Sequence, residues 1–186
     1  GITGDPEKLT HVSDLVKMST ELLLYQNYFT YELEGNIRSQ ELFIEELLKS
    51  EPSKSFIQHL SNQLNTNLLT FGKCIIINIE KQIFSKNSTV RTLASKIDPS
   101  SFVIAFTNHN RIVILATDED RCALDVKINR IHQMFKDLQL EVHMTSSLIF
   151  TNLNDFKKAY EECELVFMLN EQSAPLVSFE EVEEKT

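Results

Sequence analysis

The hydrophobic period of the chain changes as it runs. From Pro6 to about Lys49, apolar residues recur at three- and four-residue spacing, which predicts an α-helix. Asp5 stands where an N-cap belongs, and Pro6 where a first-turn proline is tolerated. Leu15, Leu22, Phe29, Leu33, Ile37, Ile44 and Leu47 make a seam with gaps of seven, seven, four, four, seven and three, which approximates the heptads of a two-helix coiled coil. Gln26 and Gln40 fall on or beside that seam, and Gly35-Asn36 is where the helix would bend or break, because glycine costs about 1 kcal/mol inside a helix. Unbroken, the segment would reach roughly 60 Å at 1.5 Å per residue. A helix that long needs a partner, and parallel self-association is preferred over folding back on its own domain.

Glu51-Pro52-Ser53 interrupts the pattern, and a short helix follows with Phe56, Leu60 and Leu64 on one face. Cys74-Ile75-Ile76-Ile77-Asn78-Ile79 is a nearly continuous β-branched run, as expected of a central strand covered on both faces. Residues from about Ser88 to Ile97 predict a helix stopped by Asp98-Pro99. Phe102–Phe106 and Arg111–Leu115 flank the polar turn Thr107-Asn108-His109-Asn110 and predict a β-hairpin. Asp118-Glu119-Asp120 opens a helix with Leu124, Ile128, Ile131, Phe135 and Leu138 on its buried stripe. Glu141–Phe150 alternates as a strand with Val142, Met144 and Leu148 on one face. Asn152 or Asn154 caps a final helix carrying Leu153, Phe156, Ala159, Cys163 and Val166, and Pro175–Phe179 is a last strand. This order predicts an α/β (α+β) fold: a long helix, then a ferredoxin-like or cyclase-palm domain with an antiparallel-containing sheet and helices on one face.

With 186 residues and 42% hydrophobic content there is room for one compact domain and an appended element. Cys74, Cys122 and Cys163 lie far apart and form no Cys-x-x-Cys, so they are expected to be small buried apolar groups in a reducing compartment. No run of about 18 apolar residues and no basic-then-apolar leader is visible, which favours a cytoplasmic protein with no membrane partner. The net charge of −9 repels phosphate backbones, so these residues alone should bind DNA poorly. Glu180-Glu181-Val182-Glu183-Glu184 reads as a solvated linker.

Two stretches resemble a family. Gly1-Ile2-Thr3-Gly4-Asp5-Pro6-Glu7, with Leu15-Val16-Lys17-Met18 and Glu21-Leu22-Leu23-Leu24, resembles the end of the sugar-diacid recognition domain in bacterial carbohydrate diacid regulators of the PucR type. Glu46-Leu47-Leu48-Lys49-Ser50-Glu51-Pro52, the hairpin, and Phe156-Lys157-Lys158-Ala159-Tyr160 with Val177-Ser178-Phe179 are similar to that family's GGDEF-like domain. The resemblance implies a division into residues 1–50 (end of the sensor and a signalling helix), 51–179 (a degenerate GGDEF-like domain) and 180–186 (a linker to a helix-turn-helix outside the chain). It also implies a transcriptional regulator that meets its sugar diacid effector through an upstream sensor, and DNA only through that further domain.

A working cyclase of this type needs glycines at the hairpin turn for phosphate approach, and carboxylates there and on the first strand to hold divalent metal. The turn here has neither glycine nor acid, and the first strand offers Asn78, with only Glu80 nearby. His11, His59, His109, His132 and His143 are scattered, and the acids at 118–120 suit a helix start without any ion. The expectation is a non-enzymatic homodimerising relay with no catalytic, cofactor or metal residue, whose dimer seam is Leu15, Leu22, Phe29, Leu33 and Ile44. The alternative is a catalytically dead domain that still binds GTP or a cyclic dinucleotide.

Overall fold

The computed structural model describes residues 6–66, 71–79, 97, 101–108, 111–169 and 176–183. The chain forms two units, Gly1–Asn36 and Ile37–Thr186. One helix, α1 (Pro6–Leu47), contributes to both. It runs through Gly35 without a break, and a Cβ added there would meet nothing within 4 Å. A single glycine costs about 1 kcal/mol, less than re-nucleating a helix on its far side. The expected cap at Asp5 lies outside the described residues.

In the first unit, two side-chain hydrogen bonds run along α1. Thr20 Oγ1 donates to the Val16 carbonyl at 2.8 Å, and the Tyr28 hydroxyl donates to Glu32 Oε1 at 2.7 Å. Both are i, i+4 contacts along the helix surface.

The second unit is built on a five-stranded sheet of β1 (Phe71–Ile79), β2 (Phe102–Asn108), β3 (Arg111–Asp118), β4 (Val142–Ser146) and β5 (Leu176–Ser178), in the order β2-β3-β1-β4-β5. All neighbours are antiparallel except β4 and β5. The helices are α2 (Lys54–Leu64), α3 (Arg121–Asp137), α4 (Phe156–Leu169) and the short α5 (Phe179–Glu183). The mixed α+β, palm-like class matches the expectation. The helix expected at 88–97 lies outside the described residues except for Ile97, which is buried.

Strand β1 explains the layers. Ile75, Ile76 and Ile77 are all fully buried, so alternate side chains need cover on opposite faces. Ile75, Ile77 and Ile79 join Ile112, Ile114 and Met144 beneath Leu124, Ile128, Ile131 and Phe135 of α3. Cys74 and Ile76 join Val113 and Leu115 beneath α2, α4 and the last turns of α1. Helices therefore cover both faces, where the sequence reading put them on one. The second face is covered by α2 and α4 together with the tail of α1, where Phe43 and Ile44 are fully buried and Leu47 nearly so. The division of the chain accordingly falls after Asn36 and not after Ser50.

Several local expectations shift for similar reasons. In α2 the buried face is Ile57, Leu60, Ser61 and Leu64, while Phe56, roughly a quarter-turn from the centre of that face, is exposed. Strand β4 ends at Ser146, so Leu148 lies beyond it, and Phe150 pairs separately with Gly72. Asn152 caps a 3-10 turn at Leu153–Asp155 that leads into α4. The acidic run begins as α5 and not as a free linker, and Glu180 approaches the buried Lys73 ammonium to 3.9 Å. That ammonium is paired with Asp125 of α3 at 3.0 Å, which is how β1 tolerates a buried cation.

Two polar staples fix the α1 tail. Gln40 Oε1 accepts from the Ile104 amide at 2.8 Å, satisfying a donor on the edge strand β2. Glu46, almost wholly buried, accepts from Lys49 Nζ at 2.6 Å and from the Ser53 amide at 2.8 Å, closing the corner between α1 and α2. The Lys49 hydrogen bond, then the Ser53 amide, hold the Glu46 carboxyl below its ordinary range against the opposing effect of burial.

Glu46 thus stabilises the fold above the ordinary carboxylate pKa, and that contribution fades as pH falls through its depressed value. We expect Glu46→Gln to lower the melting temperature at neutral pH, with the gap to the parent closing under acid, measured by thermal melts from pH 7 to pH 3. At Gly72 an added Cβ would lie 2.5 Å from the Phe150 ring, while Gly72 and Phe150 exchange backbone hydrogen bonds of 2.8 and 2.9 Å that hold the ring in place. Gly72→Ala should therefore cost about 1–3 kcal/mol in denaturant unfolding, the range for overpacking a core.

Candidate functional site

The place where a palm domain would present acidic groups is the end of β1 beside the β2–β3 hairpin. Asn78 of β1 stands opposite Arg111 on one side and His143 on the other, so the three side chains share one row on the face that α4 covers. The hairpin forms as expected, with Asn108 paired to Arg111 and a register shift after Phe106; His109, Asn110 and Glu80 lie outside the described residues.

A guanidinium fills the row. Arg111 Nε donates to Asn78 Oδ1 at 2.9 Å, and Nη1 donates to the Glu164 carboxylate on α4. The Phe167 ring lies under the guanidinium at 5.6 Å, a cation–π distance. Tyr160 completes the group. Burial, then the Glu164 charge, raise its phenol above the ordinary range, and the neighbouring Arg111 opposes them. Both members of the ion pair are only about a quarter exposed. Partial burial strengthens the pair relative to a surface one and makes either partner costly to leave alone.

This cluster can hold α4 against the sheet, with its positive charge already engaged by an internal carboxylate. Sequence reasoning identified Asn78 and missed the rest. The available signal was Tyr160, Glu164 and Phe167 at i, i+4 and i+7 on one helix face, opposite an arginine just after the turn.

Several other polar groups are engaged within the fold. Asp120 caps α3 by accepting from the Cys122 amide at 2.9 Å, and Asp118 pairs with Lys127 at 2.5 Å. The Lys127 hydrogen bond is the main reason the Asp118 carboxyl sits below its ordinary range. Among the described residues no group of three or more His, Cys, Asp or Glu side chains is placed to hold a metal ion. Cys74 and Cys163 are buried as expected, with the Cys163 thiol directed at the Cys74 carbonyl at 3.4 Å, whereas Cys122 is exposed on the first turn of α3. A cleft of about 290 Å³ beside α4 is lined by Phe150, Lys158 and Glu162, among others, and Glu162 there already accepts from the Leu148 amide.

The expected seam separates into two parts. Leu15, Leu22 and Phe29 are about 60% exposed and Leu33 is half-buried. Ile44 is fully buried among Phe43, Leu47 and the sheet, so it serves the α/β core and is removed from any surface seam. The heptad pattern ran on through residue 44 because a helix-on-sheet contact uses the same three- and four-residue spacing as a helix-on-helix contact. Val12, Val16, Met18 and Leu23 add to the exposed apolar surface of α1. None of the helices among the described residues is long and apolar enough to cross a membrane.

Residues 1–47 match the family model "Putative sugar diacid recognition", and the match ends at the last residue of α1. It covers 47 of the 186 residues. No curated protein matches the chain.

Replacing Arg111 by Met should leave Glu164 without its cation and destabilise the fold by about 1–3 kcal/mol in denaturant melts. Because the pair is coupled, the double variant Arg111→Met with Glu164→Gln should lose less than the sum of the two single changes.

Proposed function

We propose that this chain is a non-catalytic regulatory and dimerisation module of a bacterial transcription factor that controls sugar diacid utilisation. The observation that carries this reading is that the helix matched to sugar diacid recognition is the one with a row of large apolar side chains in water. Leu15, Leu22 and Phe29 at seven-residue spacing suit a second copy of the same helix. In this reading α1 pairs in a homodimer, and a sensed diacid shifts that pairing. The last turns of α1, which are core residues of the α/β unit, pass the change on. Such a relay requires two helix packings of similar free energy that effector and output each bias.

The α/β unit is then a PucR-type, GGDEF-like domain without turnover, acting in the cytoplasm. The support is chemical. Asn78 carries no charge, and the guanidinium of Arg111 beside it disfavours a divalent cation. Contact with DNA is assigned to a helix-turn-helix outside these residues, in keeping with the net charge of −9.

The test is sedimentation of the full chain. The parent should sediment as a dimer, and Leu22→Glu with Phe29→Glu as a monomer, since each apolar group removed from an interface forfeits about 2 kcal/mol and each buried carboxylate adds a desolvation cost. A parent monomer, or a dimer indifferent to both substitutions, would sink the reading.

A further inference from the structure

The first unit of α1 carries more order than a generic sticky surface. With Leu15, Leu22 and Phe29 placed on the d positions of a heptad, the a positions are Val12, Ser19, Gln26 and Leu33. Two of these core layers are polar, and both are flanked by apolar ones. The flanking e positions are Val16, Leu23 and Thr30, and the g positions are His11, Met18, Tyr25 and Glu32. The charges of Asp14, Lys17 and Glu21 fall outside all four sets, and Glu32 is engaged by Tyr28 of its own helix at 2.7 Å.

The positions decide the orientation of a second copy. An antiparallel pair sets a positions against d positions, so Gln26 and Ser19 would each be buried against leucine or phenylalanine with nothing to hydrogen-bond. A parallel pair in register sets each layer against itself: Gln26 meets Gln26, Ser19 meets Ser19, and every leucine layer stays apolar. Across the flanks the same pairing brings His11 to Val16, Met18 to Leu23, Tyr25 to Thr30 and Glu32 to Ile37, with no like charges opposed. A shift of one heptad would place Gln26 against Ser19 or Leu33 and lose the match. The available area is sufficient: the large apolar side chains on these layers and flanks are about 60% exposed, on the order of 100 Å² each. Together they amount to roughly 700 Å² per copy, near the ~800 Å² per partner of a standard interface.

We infer that two copies of this chain pair through α1 in parallel and in register, with Gln26 facing its counterpart as the polar layer that selects orientation and alignment. The inference rests on the dimer proposed above and goes further by fixing its geometry. A glutamine pair in an apolar seam weakens the association relative to a leucine pair while excluding antiparallel and slipped alternatives.

Cysteine cross-linking in the full chain tests it, in a background where the exposed Cys122 is replaced by Ser. Under mild oxidation, Gln26→Cys and, separately, Ser19→Cys should each give a disulfide-linked dimer in nearly full yield, because matching a positions approach within disulfide reach only in a parallel, aligned pair. Leu24→Cys, on the opposite side of the helix, should stay uncrosslinked. A parent that sediments as a dimer while neither Gln26→Cys nor Ser19→Cys cross-links would overturn the parallel register and leave the dimer itself standing. A parent that sediments as a monomer would overturn both.

Discussion

Burial of β1 on both faces is the constraint from which the architecture of the α/β unit follows. Three successive isoleucines, Ile75 to Ile77, have no access to solvent, and in a strand successive side chains cannot share a face. One helix layer cannot cover them. α3 closes one side, and the other side takes α2, α4 and the end of α1 around Phe43, Ile44 and Leu47. α1 is therefore not an appendage joined to a finished domain, because its residues from Ile37 onward are part of what makes the sheet a buried sheet. The same helix serves two surfaces: from Val12 to Phe29 its large apolar side chains are in water, and from Phe43 to Leu47 they are in the core.

Polar groups within the α/β unit are used to anchor elements to the sheet. Gln40 satisfies an amide of the edge strand, Glu46 closes the corner after α1, Lys73 ties β1 to α3, and Arg111 ties β3 to α4 through Glu164. Each joins groups from different elements or across a corner of the chain. At Arg111 the anchoring sets a guanidinium, already paired with Glu164, beside the uncharged Asn78 of β1.

The sequence by itself determined the order of the five strands and of α1 to α4, because the longer elements had their own periodicity, three and four for α1, α3 and α4 and an unbroken β-branched run for β1, whereas the short α5 read as a linker. It also determined the hairpin, the uncharged Asn78 at the end of β1 and the apolar row of α1. Periodicity reports that a face is buried and is silent on what buries it, so Ile44 read as seam when it is core, and Phe56 read as part of the apolar face of α2 when it is exposed. Only the tertiary structure decided where α1 changes from one role to the other, that helices lie on both sides of the sheet, and that Arg111, Glu164, Tyr160 and Phe167 form one cluster. These are contacts between residues far apart in the chain, and a long-range pairing leaves no local spacing from which to read it.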